Sequence, residues 1–290
     1  MSNYEIGACS CCDLPADYAA RRNLTVLPYH YFMDGNEYIE NQGDESGIQN
    51  FYNKLREGSV STTSMVNTET FENLFRPILE SGRDILYIVL SSGLSGSYNN
   101  AKMIAEKLSK EFPERKLYVV DSLCAARGFG LFVHLLLNLR DEGKTIDEVY
   151  EWALSNTKHV IHWFAVDSLD HLRRGGRVSR ATAFLGTIMN IKPVLRFDDG
   201  GKIIPVEKVR GRKKSLIELV DKMEGQLENP EGATVFIGHG DALEDAQFVE
   251  KLVWERYPMI KETMIHYIGP IVGTHSGPST IALHYMGNQR

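Results

Sequence analysis

The stretch DILYIVLSSGLSGS, residues 84–97, decides the fold of this chain. Residues 84–90 form a nearly continuous apolar run, which is typical of a strand covered on both faces in a parallel sheet. Residues 91–97 form a turn of small side chains, and a helix is predicted from there to about Phe112. Strand, turn and helix in this order are the building unit of a doubly wound α/β sheet.

The same unit occurs on both sides of that stretch. Further strands are predicted at 4–8, 24–32 and 117–121, and helices at 16–22, 47–57, 68–81 and 125–142. Asp34-Gly35 predicts a hairpin turn after the second of these strands. The alternation of strands and helices predicts an N-terminal α/β domain over 1–160, with a mostly parallel sheet flanked by helices.

The second half of the chain has a different pattern. Residues 191–197 and 202–209 flank the sequence Asp198-Asp199-Gly200-Gly201, which is typical of an antiparallel hairpin. Helices are predicted at 213–228 and 242–257, around a strand at 234–238. We interpret residues 161–290 as an α+β domain with an antiparallel sheet.

Composition excludes several classes of protein. Apolar residues make up 43% of the 290 positions and charged residues 24%, which excludes a disordered chain, a collagen and a coiled coil. The longest charge-free apolar stretch near the middle, 128–139, is shorter than the roughly 20 residues of a membrane-spanning helix. The first residues lack the basic and apolar regions of a signal peptide. We therefore expect a cytoplasmic protein.

The chain contains four cysteines, Cys9, Cys11, Cys12 and Cys124. Three of them lie within four positions, which is not a disulfide framework, because neighbouring cysteines rarely pair with each other. A metal site needs a second pair of ligands at a suitable spacing, and the candidate, His159-x-x-His162, is far along the chain. We predict small buried thiols at the end of a strand and no metal site.

Charge is distributed unevenly along the chain. The net charge is −6, but the segment 173–214 contains 12 Lys and Arg against three acids, a balance of +9 that leaves −15 for the rest. This asymmetry indicates a basic face for an anionic partner, either a phosphorylated molecule or an acidic protein surface. The alternative is a basic surface that is merely solvated. A nucleic acid partner is disfavoured, because the chain is not basic overall and has no RNP-type aromatic run.

Three segments carry candidate binding groups. The turn at 91–97 precedes a helix, whose free N–H groups suit a carboxylate or phosphate, and the hydroxyls of Ser92, Ser95 and Ser97 add donors. In the alternative interpretation, Ser95 only caps that helix. A hydroxyl cluster at 61–64 and a glycine-rich loop at 269–278, which contains His275, have the same character.

A serine hydrolase is a second possibility from the residues alone. Gly93-Leu94-Ser95-Gly96-Ser97 is one residue short of the G-x-S-x-G nucleophile elbow. The order Ser95, then Asp121 or Asp167, then His275 matches the chain order of an α/β-hydrolase triad. No oxyanion segment of the HGGG type accompanies it. Motifs for a phosphate-loop NTPase and for a dinucleotide site are also absent from the sequence.

Seven short motifs occur in order along the chain. They are Cys12-Asp13-Leu14-Pro15, Thr63-Ser64, Leu94-Ser95-Gly96-Ser97, Asp121-Ser122, Arg174-Gly175-Gly176-Arg177, Asn190-Ile191-Lys192-Pro193 and Gly273-Thr274-His275-Ser276-Gly277-Pro278. Together they resemble the motifs of the DegV family of bacterial fatty-acid-binding proteins, and the resemblance covers about residues 4–286.

The resemblance implies a non-catalytic carrier that holds one long-chain, palmitate-like fatty acid between the two domains. It implies that Thr63 and Ser95 bind the carboxylate, with His275 adjacent, and that no metal or cofactor takes part. Some members present the acyl carboxylate to an ATP-dependent fatty acid kinase for phospholipid synthesis. The implied supporting pocket residues are Ser64, Ser92, Gly96, Ser97 and Thr274. The implied residues of the partner-docking face are Arg173, Arg174 and Arg177.

The chain also departs from the family pattern. Cys9-Ser10 stands where the family usually has Asp-Ser, and Met65-Val66-Asn67 stands where Gln-Pro-Ser is common. Ser97 replaces a threonine, and Ser279 replaces the last glycine of a glycine-proline-glycine sequence. None of these changes removes a proposed carboxylate donor.

Overall fold

The apolar run at 84–90 becomes a central strand in the computed structural model, which describes residues 4–178, 190–288 and 290. This strand, β6 (Asp84–Val89), lies between β1 (Tyr4–Cys9) and β7 (Leu117–Asp121), and β2 (Leu24–Leu27) pairs with the other side of β1. All three pairings are parallel, and residues 85–89 are fully buried. The predicted parallel sheet is confirmed.

Six helices accompany this half of the chain. They are α1 (Ala16–Arg21), α2 (Glu45–Arg56), α3 (Thr68–Glu80), α4 (Ser97–Glu111), α5 (Ala126–Asp141) and α6 (Ile146–Asn156). Local sequence explains where several of them begin. Asn67 caps α3 by accepting from the Thr70 N–H, and Thr145 and Glu148 form a capping box at the start of α6. The sequence prediction included all of these helices except α6.

The predicted strand at 24–32 is wrong, because the chain breaks at Pro28 into two strands that join different sheets. Proline lacks the N–H that a continuing strand needs. The second piece, β3 (His30–Met33), pairs antiparallel with β4 (Asn36–Ile39) through the predicted Asp34-Gly35 turn. On its other edge it pairs antiparallel with β5 (Ser61–Thr63). This small sheet positions Thr63.

The second half contains a six-stranded sheet in the order β10-β9-β8-β13-β11-β12. Its strands are β8 (Val160–Ala165), β9 (Ile191–Phe197), β10 (Ile203–Arg210), β11 (Thr234–His239), β12 (Glu262–Tyr267) and β13 (Ile281–Met286). The hairpin of β9 and β10 is antiparallel as predicted. The pairing of β11 with β12 is parallel, so the sheet is mixed rather than purely antiparallel.

The helices of this half are α7 (Asp170–Arg174), α8 (Arg212–Asp221), α9 (Leu243–Arg256) and α10 (Pro270–Ser276). The predicted helix at 213–228 is too long. Met223 and Leu227 continue the buried apolar pattern, but the chain leaves the helix at Asp221 and Leu227 bridges to Gly287. The predicted glycine-rich loop at 269–278 is also corrected, because most of it is α10.

Helix α5 packs between the two large sheets. Its residues Phe129, Phe132 and Leu136 are fully buried, and the Arg127 guanidinium lies 4.3 Å from the centre of the Phe236 ring on β11. A single apolar core therefore extends from β1 and β6 through α5 to β8 and β13. Among the described residues, no helix is both long enough and apolar enough to cross a membrane.

Candidate functional site

A cavity of about 440 Å³ is lined by residues from both halves of the chain. Its volume falls in the range of small-molecule binding sites. Most of its wall is apolar, and the larger apolar side chains are Leu90, Phe164, Leu172, Phe197, Ile203 and Ile271. The wall also includes polar residues from β5, from the loop after β6 and from α10.

Thr63 and His275 meet at this wall. The Thr63 Oγ1 lies 2.8 Å from the His275 Nε2, although the two residues are 212 positions apart. Thr63 is the last residue of β5, and its strand pairs with Tyr31 of β3. His275 lies in the last turn of α10. The small sheet and α10 thus bring together the two groups that the resemblance implied.

Ser95 lines the same cavity and also contacts the start of α4. Its Oγ accepts from the Ser97 N–H at 3.3 Å and lies 3.0 Å from the Ser97 Oγ. Ser95 therefore contacts the first N–H of α4, but Gly96 occupies the N-cap position and no side chain caps the helix there. The loop is fixed from two sides: Asp121 accepts from the Ser92 N–H at 3.0 Å, and Ser91 donates to the Gly201 carbonyl at 2.7 Å.

The five implied supporting residues divide into two groups. Ser64, Ser92 and Gly96 line the cavity. Ser97 is buried, and its Oγ accepts from the Val66 N–H at 3.3 Å. Thr274 donates to the Pro270 carbonyl and lies 2.7 Å from the Ser61 Oγ, so it joins α10 to β5. Ser97 and Thr274 act in the structure as supports for the elements around the cavity.

The three arginines of the implied docking face also separate. Arg177 is half-buried and lines the cavity, and its Nε donates to the Leu94 carbonyl at 3.3 Å. Arg173 and Arg174 are exposed on α7. The structure therefore places a permanent positive charge at the cavity, where the sequence analysis expected a surface residue.

His275 is neutral at neutral pH. Burial and, to a smaller extent, the positive charge of Arg177 lower its pKa to about 4. A neutral imidazole has one N–H donor and one acceptor nitrogen. When Nε2 donates to Thr63, the Thr63 hydroxyl hydrogen is free for a ligand. The His275 Nδ1 and the Ser276 Oγ have no hydrogen-bond partner among the described residues.

Two buried carboxyl groups hold the start of α10. The Glu40 Oε1 accepts from the Ile271 N–H at 2.9 Å. Asp13 interacts with the backbone N–H of Gly269, and its Oδ1 also accepts from the Gln42 Nε2 at 3.0 Å. A Cβ at Gly269 would lie 2.3 Å from the Glu40 Oε1, so only glycine fits there. Burial raises the pKa of Glu40 to about 7, and burial together with Glu40 raises the pKa of Asp13.

The contacts do not form a hydrolase triad. Asp121 binds the backbone N–H groups of Ser92 and Leu123, and Asp167 pairs with Lys192 at 2.7 Å. The ring nitrogens of His275 contact neither aspartate nor Ser95 within the part of the chain that the structure describes. The geometry therefore gives Ser95 no activating base.

The cysteines are buried and free, as predicted. Cys9 ends β1, and Cys11 and Cys12 lie in the single turn of 3-10 helix that follows it. Within residues 4–178, 190–288 and 290, no group of three or more His, Cys, Asp or Glu side chains could hold a metal ion. His159 binds the Gly287 carbonyl through its Nδ1 at 2.9 Å.

Three of the positions that depart from the family pattern are residues 9, 65 and 279. Cys9, where the family usually has aspartate, is fully buried at the end of β1, and the neighbouring Ser10 accepts from the Tyr29 N–H at 3.0 Å. Met65 is 55% exposed and lines the cavity. Ser279 has a φ of 60°, a left-handed conformation in which glycine is favoured.

Sequence reasoning missed most of the apolar wall and several polar lining residues, among them Ser276 and His284. His284 lies on β13, which the sequence analysis did not predict. Its signal was the period-two pattern of Thr280, Ala282 and His284, since alternate residues of a strand share a face. Ser276 has no such signal, because it lies in a short glycine-containing segment whose helical form the sequence does not predict.

Comparisons with known proteins agree with the resemblance over the whole chain. The sequence model described as "Uncharacterised protein, DegV family" matches residues 6–288. A DegV domain-containing protein of Clostridium perfringens is 38% identical over 290 residues, which cover 100% of this chain and 99% of the relative. A DegV domain-containing protein of Lactococcus lactis is 34% identical, with 97% and 96% covered.

Solved structures show the same fold. A DegV lipid-binding protein from Thermotoga maritima matches with a TM-score of 0.85 and 29% identity, covering 100% of both chains. A DegV family protein from Thermus thermophilus, described for its fatty acid binding, matches with a TM-score of 0.87 and 26% identity, covering 98% and 99%. The chain therefore belongs to the DegV family.

Proposed function

We propose that this protein binds one long-chain, palmitate-like fatty acid in the cavity, with the carboxylate at Thr63, Ser95 and His275. One observation carries the proposal. A mostly apolar cavity of about 440 Å³ has, in its wall, a Thr63–His275 pair and a Ser276 hydroxyl without a partner in the described chain. The related proteins of known structure from Thermotoga maritima and Thermus thermophilus are described as lipid-binding and fatty-acid-binding.

Burial of the acyl chain supplies the affinity in this proposal. About 14 methylenes at ~0.8 kcal/mol each give on the order of 11 kcal/mol before the costs of association and ordering. The apolar wall is the surface that such a chain requires. A ligand without a long apolar part would leave most of the apolar wall of the cavity without contacts.

The headgroup needs hydrogen-bond donors, because a buried charge without partners is costly. The hydroxyls of Thr63 and Ser95 are donors of the right kind. Arg177 adds a positive charge at the same wall. Neutral His275 orients the Thr63 hydroxyl.

We further propose that the protein is a non-catalytic carrier that presents the carboxylate to an ATP-dependent kinase. The cavity contains no assembled nucleophile and base among the described residues, so a partner must supply the chemistry. Helix α7 packs against α10, and its Arg173 and Arg174 are exposed beside the proposed headgroup site. A partner with an acidic surface that docks on α7 therefore reaches the carboxylate.

Protein purified from a bacterial host tests the binding proposal. We expect native mass spectrometry to show about one equivalent of fatty acid, with the chain identified after extraction. Delipidated protein should unfold at a higher temperature when palmitate is added, because a ligand that binds only the folded state stabilises it. Preparations that contain no lipid and show no thermal shift with any fatty acid would contradict the proposal.

A further inference from the structure

Two buried histidines lie side by side at the cavity. His284 on β13 and His162 on β8 are directly paired across the strands, with ring centres 4.8 Å apart. Their exposed fractions are 2% and 1%. The Ile161 backbone carbonyl lies near His284, but none of the four ring nitrogens makes a hydrogen bond of normal geometry with the described residues. His284 lines the cavity, and the His162 ring stacks on Phe197, which also lines it.

The fold makes room for this pair at a specific glycine. A Cβ at Gly128 of α5 would lie 2.1 Å from the His162 Cε1 and 2.7 Å from the His284 Nδ1. Any other residue at position 128 therefore displaces the rings. Glycine is unfavourable in the interior of a helix, so the close approach of the histidines accounts for its presence there.

Both rings are neutral and still carry polar atoms. Burial lowers the pKa of His284 to about 3 and lowers the pKa of His162, and the positive charges of Arg127 and Arg290 act in the same direction. The Ile161 carbonyl near His284 opposes this shift only partly. Each neutral imidazole offers one donor and one acceptor, and such buried groups are normally satisfied. A plain alkyl chain cannot satisfy them, whereas a hydroxyl group both donates and accepts.

The position of His284 places it near the middle of a bound acyl chain. Thr280, Ala282 and His284 all line the cavity, and Thr280 donates to the carbonyls of Ser276 and Gly277, next to His275. At about 3.3 Å per residue, His284 lies ~13 Å along the strand from Thr280. With carbon–carbon bonds of about 1.5 Å in a zigzag, that distance corresponds to roughly ten carbons.

We propose that the preferred ligand is a long-chain fatty acid with a hydroxyl group near the middle of its chain. The hydroxyl binds the imidazole of His284, and His162 positions that ring. This proposal rests on the proposed function, since it identifies the class of fatty acid that the same cavity takes.

Delipidated protein titrated with stearic acid and with its 2-, 10-, 12- and 17-hydroxy derivatives tests the proposal. We expect the 10- or 12-hydroxy acid to bind about tenfold more tightly than stearic acid, and the 2- and 17-hydroxy acids to show no such gain. His284→Phe should remove the preference while stearic acid binds at least as well as before. His284→Leu serves as a second variant, and His30→Phe, on a surface strand outside the cavity, is the matched control.

Each outcome separates the two proposals. If stearic acid binds as tightly as every hydroxy acid, or if His284→Phe leaves the ratio of affinities unchanged, the histidine pair does not recognise a hydroxyl and this inference is overturned. If neither stearic acid nor any derivative binds the wild-type protein, the proposed function itself fails. A loss of preference in His30→Phe would show that the ratio does not report on His284.

Discussion

Thr63 is the residue whose hydroxyl the proposed carboxylate site needs most directly. Thr63→Val keeps the shape of the side chain and removes the hydroxyl. A hydrogen bond to a charged group contributes about 1.5–3 kcal/mol, so we expect palmitate to bind about ten- to a hundredfold more weakly. Calorimetric titration of the delipidated variant measures this change.

Two matched variants accompany this measurement. Thr63→Ser retains the hydroxyl and should bind palmitate nearly as well as the wild type. Thr62→Val changes an exposed neighbour on the opposite face of β5 and should leave the affinity unchanged. Equal palmitate affinities for Thr63→Val and the wild type would remove Thr63 from the headgroup site.

At this scale, the sequence identified residues that carry motifs and missed residues that do not. Thr63, Ser95 and His275 were found because each lies in a motif shared with a family, and the structure brings all three to one cavity. Their mutual distances could not be predicted, since a strand of three residues and a helix of seven residues set them. The inward position of Arg177 depends on packing, which no local pattern records.

The headgroup site depends on helix α10. Glu40, which binds the Ile271 N–H at the start of this helix, titrates. Folding raises the pKa of Glu40 from about 4.5 to about 7, so the folded state binds an additional proton between these pH values. The contribution of Glu40 to the free energy of unfolding is therefore greatest below about pH 4.5 and is lost as the pH rises through about 7.

Glu40→Gln tests this assignment, since the amide can still accept from the Ile271 N–H but cannot ionise. We expect the variant to be more stable than the wild type at pH 8, and the difference to shrink towards pH 5. Urea unfolding at several pH values measures it. Glu57→Gln, an exposed glutamate just after α2, should follow the wild type. If the difference in the free energy of unfolding between Glu40→Gln and the wild type does not depend on pH, the assignment of a titrating Glu40 is contradicted.

Elements were predicted best where local sequence and tertiary packing agree. The buried run of β6 is a local signal, and this prediction is confirmed. The Asn67 cap of α3 is also local, although the sequence analysis did not single it out. Helix α10 contains a glycine and follows another, so the local pattern favoured a loop. Its helical form depends on carboxyl groups from Asp13 and Glu40, which are more than 200 positions away. Contacts between residues so far apart in the sequence cannot be recognised from a local pattern of about ten residues.

At the scale of the whole molecule, the uneven charge distribution bears on the proposed partner. We expect reversal of the exposed pair, Arg173→Glu with Arg174→Glu, to weaken docking on an acidic kinase and to make it less sensitive to salt. The fatty acid content should stay unchanged, because both side chains point to solvent. Binding of the variant to the kinase, measured over a range of salt concentrations, checks the first statement. Analysis of the fatty acid that copurifies with the variant checks the second.

Lys251→Glu with Lys261→Glu is the matched control, since both residues are exposed and lie outside the segment 173–214. Its docking should resemble that of the wild type. Arg177→Glu should instead reduce the fatty acid content, because Arg177 lines the cavity. If the Arg173 and Arg174 reversal releases the lipid, these two side chains support the cavity and do not form a docking surface.

The division into two architectures could be predicted from the sequence, and their connection could not. The apolar run at 84–90 indicated a parallel sheet, and the turn at 198–201 indicated an antiparallel hairpin. The six-stranded sheet also needs β12 and β13, whose pairing partners come from distant positions. The boundary at 160 stays a prediction, because one apolar core passes through α5 into both sheets.

That shared core has a consequence for the fate of the emptied protein. With the cavity filled as proposed, the acyl chain forms part of the hydrophobic interior, and a carrier that transfers its cargo also loses the stability that the cargo provided. Unfolded chains are what cellular proteases remove, so the abundance of an unloaded carrier falls relative to that of a loaded one. The amount of this protein in a cell would then follow the amount of fatty acid available to it.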